Sequence, residues 1–261
     1  MNINGKNIIL TGASSGIGME LLKKLKDYDV KIIAVARNID KIPNYDKNVI
    51  SFSCDLSKKE EVDQLFEYAL NLFQSIDIFI ANAGFAYCEE IEEANWEHIE
   101  KIYSTNVFSP IYVAEKMKNI NKDKSYYMII TCSAVSEVPL PGYALYCASK
   151  ASINMFAKTY RYEMKNRGKL GLVYPIATNT NFFRRAGGNR APVPWPVQSP
   201  EIVAASIILG IKLNLRNIYP SILFLIASII NRVIPILYPI YSKIFSISFN
   251  LWLKRNTKKP L

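Results

Sequence analysis

Five stretches in the first half of the chain are apolar almost without interruption: residues 7–11, 30–36, 49–53, 76–81 and 126–132. Continuous rather than alternating apolar runs are expected of strands covered on both faces. Between them the period changes. Ile17, Leu21 and Leu25 recur at every fourth position, and Val62, Leu65, Phe66, Ala69 and Leu70 mark a second stripe at helical spacing. Strand and helix in alternation predict an α/β, doubly wound fold with a central parallel sheet and right-handed crossovers. The pattern breaks over residues 181–199, where Gly187, Gly188, Pro192, Pro194 and Pro196 are interspersed with Phe182, Phe183 and Trp195. A structureless loop of this length in a compact domain predicts a lid over a site.

Composition adds limits. Of 261 residues, 50% are hydrophobic and 21% charged, enough for a sizeable core and incompatible with a disordered chain. The expected organisation is one catalytic domain over 1–213 and an apolar, basic helical extension over 214–261. The net charge of +10 is uneven: residues 202–261 carry eight basic side chains and no Asp or Glu. A nucleic-acid protein would spread its basic residues over a folded face, and here they punctuate an oily segment. Cys54, Cys88, Cys132 and Cys147 form no C-x-x-C pair, and His98 is the single histidine, so no metal-ligand set is expected. Reduced thiols and an N-terminus without a signal-peptide pattern predict a cytoplasmic protein.

The first strand ends in Thr11-Gly12-Ala13-Ser14-Ser15-Gly16-Ile17-Gly18 and leads into a helix. Glycines there permit a tight turn and let backbone N–H groups approach a pyrophosphate at the positive end of the helix dipole. This T-G-x-x-x-G-x-G spacing resembles the short-chain dehydrogenase/reductase family. Asp55, after the third strand, and Asn82-Ala83-Gly84, after the fourth, extend the resemblance. It implies a Rossmann fold, with Asp55 at the adenine ring and Asn82, Ala83 and Gly84 beside the ribose. At the end of the second strand Ala36 stands where an NAD site places a carboxylate, and Arg37 follows, able to contact a 2′-phosphate with Ser14 and Ser15. The expected cofactor is NADP(H).

Two Y-x-x-x-K pairs occur, Tyr112/Lys116 and Tyr146/Lys150. Only Tyr146 follows the fifth strand and a serine, Ser133, in the family's arrangement; Asn106 falls at the place of its catalytic-helix asparagine. A Tyr and a Lys four apart share a helix face. Lowering a phenol to near neutrality needs roughly 3 units, and a cation about 4 Å away at a dielectric near 20 supplies about that. The resemblance implies that Tyr146 donates the proton, Ser133 fixes the carbonyl oxygen, and Asn106 holds a water serving Lys150. After the sixth strand the family's P-G becomes Pro175-Ile176, with Thr180 expected at the nicotinamide carboxamide and Thr178 as competitor.

Phe182, Phe183 and Trp195 are expected to line an apolar substrate pocket, and Arg184, Arg185 and Arg190 are expected as solvated lid cations. From 218 to 253 only Arg232 and Lys243 are charged, and Pro220, Pro235 and Pro239 interrupt any long helix. Two short apolar helical pieces ending in Lys254-Arg255-Asn256-Thr257-Lys258-Lys259 predict peripheral membrane contact through 218–259. An oligomer interface competes for the same surface, and a dimer or tetramer is the expected assembly. The expected activity is reduction of a lipophilic ketone or aldehyde of 3-oxoacyl, long-chain or isoprenoid type. A non-catalytic NADP(H)-binding regulator or a membrane scaffold is the alternative.

Overall fold

In the computed structural model, which describes residues 1–43, 48–93, 95–164, 168–188 and 191–256, the apolar runs become strands of one sheet. They are β1 Lys6–Thr11, β2 Val30–Ala36, β3 Val49–Ser53, β4 Ile78–Ala81, β5 Tyr126–Thr131 and β6 Gly168–Val173, joined by a two-residue β7, Asn217–Ile218. Their order is β3-β2-β1-β4-β5-β6-β7, and every pairing is parallel. The helices are α1 Gly16–Leu25, α2 Lys59–Phe73, α3 Trp96–Tyr103, α4 Ser109–Ile120, α5 Ala144–Glu163, α6 Phe182–Gly187, α7 Pro200–Leu213, α8 Ile222–Val233 and α9 Leu237–Asn256.

Alternation along β1 divides the core. Ile8 and Leu10 pack with Leu21 and Leu25 of α1 and with Ile207 and Ile211 of α7. Ile9 faces the opposite side, into the cluster containing Leu65 of α2, Met117 of α4 and Ile153 of α5. Each large aliphatic chain buried in this way contributes roughly 1.5–3 kcal/mol. Chain order reverses between β1 and β4, opening a crevice at the carboxyl ends of the strands, where ligands of doubly wound sheets bind.

Three features differ from expectation. Residues 181–199 are not structureless, since α6 occupies their start. The extension is not purely helical: β7 completes the sheet beyond residue 213, and Phe224 of α8 enters the main core. The second tail helix is not short either, because α9 runs for 20 residues. Pro239 lies in its first turn, where the missing N–H is not needed. Phe245 and Phe249 of α9 pack with Tyr143 and Tyr146 at the start of α5. An ideal Cβ on Gly142, which has φ +82°, would fall 2.4 Å from the Phe249 ring, so glycine lets α9 dock there.

Candidate active site

The glycine turn forms a cradle at the N-terminus of α1. Gly12 and Gly16 have φ of +69° and +56°, in the left-handed region that favours glycine. A Cβ on Gly18 would lie 2.1 Å from the Gly12 carbonyl oxygen, so α1 can approach β1 this closely only without a side chain. Ser15 caps α1 without its hydroxyl accepting a capping bond, leaving that oxygen and the first helical N–H groups directed at the crevice. Ser14, Gly16 and Ile17 line the same space. These features fit a pyrophosphate.

Ala36 closes β2 in a buried position and Arg37 follows, exposed. Asp55 Oδ1 accepts from the Ser57 N–H at 3.0 Å and the Ser57 hydroxyl at 2.8 Å. Burial pushes its carboxyl up, but the Ser57 bonds and the Arg37 and Lys58 charges outweigh it and hold the group below the usual carboxylate range. Asn82 rivets three strands: its Nδ2 donates to Thr11 O at 3.1 Å, and its Oδ1 accepts from Thr131 Oγ1 at 3.2 Å. The N–H of Ala83 donates to Thr11 Oγ1 at 3.1 Å. A Cβ on Gly84 would sit 3.1 Å from Asn106 Oδ1 and 3.5 Å from Lys150 Nζ. Glycine there brings the backbone, Asn106 and Lys150 together.

Asn106 lies in a π-helical segment, Ser104–Phe108, between α3 and α4, a distortion frequent at functional sites. Its Nδ2 donates to Phe85 O at 2.9 Å and Ser149 Oγ at 3.1 Å, and its Oδ1 accepts from the Phe85 N–H at 3.2 Å. Ser133 follows β5 and pairs with the Tyr146 hydroxyl; its Oγ also accepts from the Val135 N–H at 3.3 Å. Lys150 Nζ donates to Thr131 O at 2.8 Å and lies 5.8 Å from the centre of the Tyr146 ring. In the protein itself burial, not the ammonium, governs both groups: it raises the Tyr146 phenol, only partly offset by Ser133, and lowers Lys150. Water is excluded from each, which shifts the Tyr146 phenol up and the Lys150 ammonium down from their ordinary values.

The second Y-x-x-x-K pair is a structural clasp. Tyr112 donates to Asp63 Oδ1 at 2.7 Å, Lys116 meets the same oxygen at 2.5 Å, and Lys59 holds Oδ2 at 2.7 Å. These contacts tie α4 to α2, and Tyr112 and Lys116 do not line the cavity beside Tyr146.

Ile176 does not disturb the turn after β6. Its side chain packs against the main core, and among described non-glycine residues only Gln74 and Asn214 have positive φ. The backbone at Ile176 therefore adopts no conformation that requires glycine. Pro175 O accepts from the Ala134 N–H at 2.9 Å. Thr178 is buried, with its hydroxyl on Ile176 O at 2.9 Å. Thr180 faces the cavity, and its methyl group lies 3.0 Å from where a Gly16 Cβ would stand.

A continuous cavity of about 800 Å³ connects the glycine cradle with Tyr146 and continues to α8 and α9. Phe182 stands over Tyr146 with ring centres 5.3 Å apart, and Phe183 meets Tyr143 edge-on at 5.9 Å. Trp195 reaches Tyr241 of α9 at 5.6 Å. Arg185 is exposed, as expected of a solvated charge, and it also points Nη1 at Ser15 Oγ, 3.4 Å away. Arg184 is exposed, whereas Arg190 and residues 257–259 lie outside the described residues. Sequence reasoning missed Leu223, Tyr241 and Ile244 as cavity walls; their only signal was the apolar character of the tail.

A glycine cradle at the switch point of a parallel sheet, facing a buried tyrosine and lysine, defines a dinucleotide-dependent oxidoreductase. The family model described as short chain dehydrogenase matches residues 6–190. The 3-ketodihydrosphingosine reductase of Dictyostelium discoideum is 27% identical over 249 residues, covering 80% of this chain and 73% of the relative. A short chain dehydrogenase from Burkholderia cenocepacia, solved with NADP, superposes with a TM-score of 0.76 at 22% identity, covering 87% of this chain and 93% of its own. One from Burkholderia phymatum, solved with NAD, gives 0.77 at 17% identity, with coverages of 100% and 99%. This chain belongs to the short-chain dehydrogenase/reductase family. It is an NAD(P)(H)-dependent oxidoreductase of that family.

Proposed function

We propose that the protein reduces a lipophilic ketone or aldehyde with NADPH. The observation that carries this reading is the cavity, which leads from the glycine cradle past Tyr146 into a wall of Val135, Leu140, Phe182, Leu223, Tyr241 and Ile244. Similarity to a 3-ketodihydrosphingosine reductase supports a 3-oxo lipid as substrate class.

NADPH, when bound, supplies the hydride. The residues fit it: the Gly12–Gly18 turn with Ser14, Ser15 and Ile17 would hold the pyrophosphate, and Asp55 the adenine. Asn82, Ala83 and Gly84 would border the ribose, and Pro175 and Thr180 the carboxamide. The preference for NADP(H) rests on Ala36, which puts no carboxylate at the end of β2, and on the exposed Arg37 beside it.

Tyr146 donates its phenolic proton to the carbonyl oxygen while Ser133 Oγ hydrogen-bonds the same oxygen. Burial holds the phenol protonated, so the acid is ready in the reducing direction. A protonated Lys150, 5.8 Å from the ring, then stabilises the phenolate by roughly 3 kcal/mol at an effective dielectric near 20. Asn106 and Lys150, meeting at Gly84, define the side from which a water-borne proton returns to the Tyr146 oxygen.

The test is NADPH oxidation over carbonyls of increasing chain length, with Tyr146→Phe as control. Each methylene buried in the wall adds about 0.8 kcal/mol, so kcat/KM should climb several-fold per carbon until the cavity is filled. Flat chain-length dependence, or activity surviving Tyr146→Phe, overturns the proposal.

A further inference from the structure

The two tail helices carry their apolar residues on the outside. On α8, Ile222, Ile226, Ile229 and Val233 follow one another at steps of four, three and four, and all are exposed. On α9, Ile240, Ile244, Ile247 and Leu251 repeat the same steps and are also exposed. Inward positions are filled differently: Phe224 and Ser228 on α8, Phe245 and Phe249 on α9. Ile234 and Ile236 in the connecting turn join the stripes into one aliphatic face. A continuous surface of this kind marks an interaction site.

The cavity opens on this face. Leu223, Leu237, Ile240 and Ile244 line the cavity, yet they are 60%, 40%, 51% and 47% exposed. The same side chains thus form the far wall of the site and the outer aliphatic surface. Trp195, at the rim against Tyr241, is 59% exposed.

We infer that the α8–α9 face seats on an anionic lipid bilayer and that the cavity mouth opens into it, so that a lipid substrate reaches Tyr146 without crossing water. The portal rests on the reading of this cavity as the active site; the bilayer seat does not. Charge selects the occupant. Arg232, Lys243, Lys254 and Arg255 are exposed on the same pair of helices, and residues 202–261 contain no acid. A two-fold contact between copies would set this basic surface against itself. Anionic headgroups would supply counter-charge to this basic surface. The geometry we propose is a surface seat: among the described residues no single helix is long and apolar enough to cross a membrane, and α8 and α9, which reach that length and apolarity only as a pair, are bent by 119°.

The experiment uses the full chain and vesicles of phosphatidylcholine containing roughly a third phosphatidylserine. Flotation should recover the protein with these vesicles, and Ile229→Glu/Ile247→Glu should lower the bound fraction about tenfold, two charges being costly to insert. Both positions are exposed, so the fold tolerates the change, and NADPH binding of the variant confirms it. In a Trp96→Phe/Trp252→Phe protein, Trp195 is the sole tryptophan. Its emission should be quenched by brominated phosphatidylcholine in the same vesicles. These readouts need no turnover, so they stand even where no carbonyl is reduced. Vesicle binding unchanged by the glutamates, or Trp195 unquenched in bound protein, overturns the inference. A protein that ignores vesicles and forms a dimer dispersed by the same glutamates overturns it in favour of an interface between copies.

Discussion

Replacing each tyrosine of the two Y-x-x-x-K pairs with phenylalanine separates chemistry from architecture. Tyr146 is 9% exposed and its ring packs against Phe182, contacts that phenylalanine keeps. Its hydroxyl pairs with Ser133, which retains the Val135 N–H. Tyr146→Phe should therefore cost only about 1 kcal/mol of stability. It removes the proton donor, and positioned acid catalysis contributes on the order of 10²–10⁴ in rate, or roughly 3–5 kcal/mol of barrier. Tyr112→Phe deletes the 2.7 Å bond to Asp63, but Lys116 and Lys59 still hold that carboxylate. It too should cost about 1 kcal/mol of stability, with kcat/KM unchanged to within about twofold because Tyr112 lies outside the cavity. Steady-state NADPH oxidation and urea unfolding of both variants provide the comparison. Similar losses of activity in the two, or more than about a tenth of wild-type activity in Tyr146→Phe, would refute the assignment of the proton donor.

Arg37→Asp should raise the Kd for NADPH by tenfold or more, about 1.4 kcal/mol, and improve NADH, as titration of nicotinamide fluorescence would show. Arg185→Ala, which removes the cation facing Ser15 rather than the end of β2, should weaken NADPH and NADH by similar factors in the same titration. Gly18→Ala should abolish cofactor binding by calorimetry, because the new methyl group meets the Gly12 carbonyl oxygen at 2.1 Å and neither side is a flexible chain end. Alkaline pH should unfold the protein: burial raises Tyr126 to about 12 and Tyr127, Tyr143 and Tyr174 further. Below pH about 10 folded and unfolded phenols are both protonated, so their stability contribution is complete there; above it only the unfolded chain releases the proton. Near pH 11 each of the four should cost roughly 1 kcal/mol, and a urea midpoint that holds steady through that pH contradicts their burial.

The strands of the double-sided core were legible because continuous apolar runs have few other uses at that length, and β2 and β3 lie where the pattern put them. Strand β7 was not, since two residues paired only with Leu172 and Val173 leave no periodic trace. At the site, spacing supplied candidates and position selected among them: both tyrosines satisfy Y-x-x-x-K, and only Tyr146 meets Ser133, on the helix whose Ser149 holds Asn106. Arg185 could not be assigned from the sequence, because its place over Ser15 depends on how α6 folds back across the crevice.

The tail presents a sharper case. A helix that is apolar around most of its circumference offers two candidate inner faces, and periodicity alone does not choose between them. Here the choice falls on the aromatic and hydroxyl side: Phe224 and Ser228 turn inward, with the Ser228 hydroxyl 2.9 Å from Glu137 Oε2, and Phe249 fills the space above Gly142. Rings and a small hydroxyl take the inner positions, whereas the branched chains of Ile226, Ile229, Ile244 and Ile247 are left outside. The inversion gives the two sides separate work. Substitutions on the inner face should act on stability, and those on the outer face on what the protein contacts. A cavity wall shared by both, at Leu223 and Ile244, is where the two effects should become inseparable.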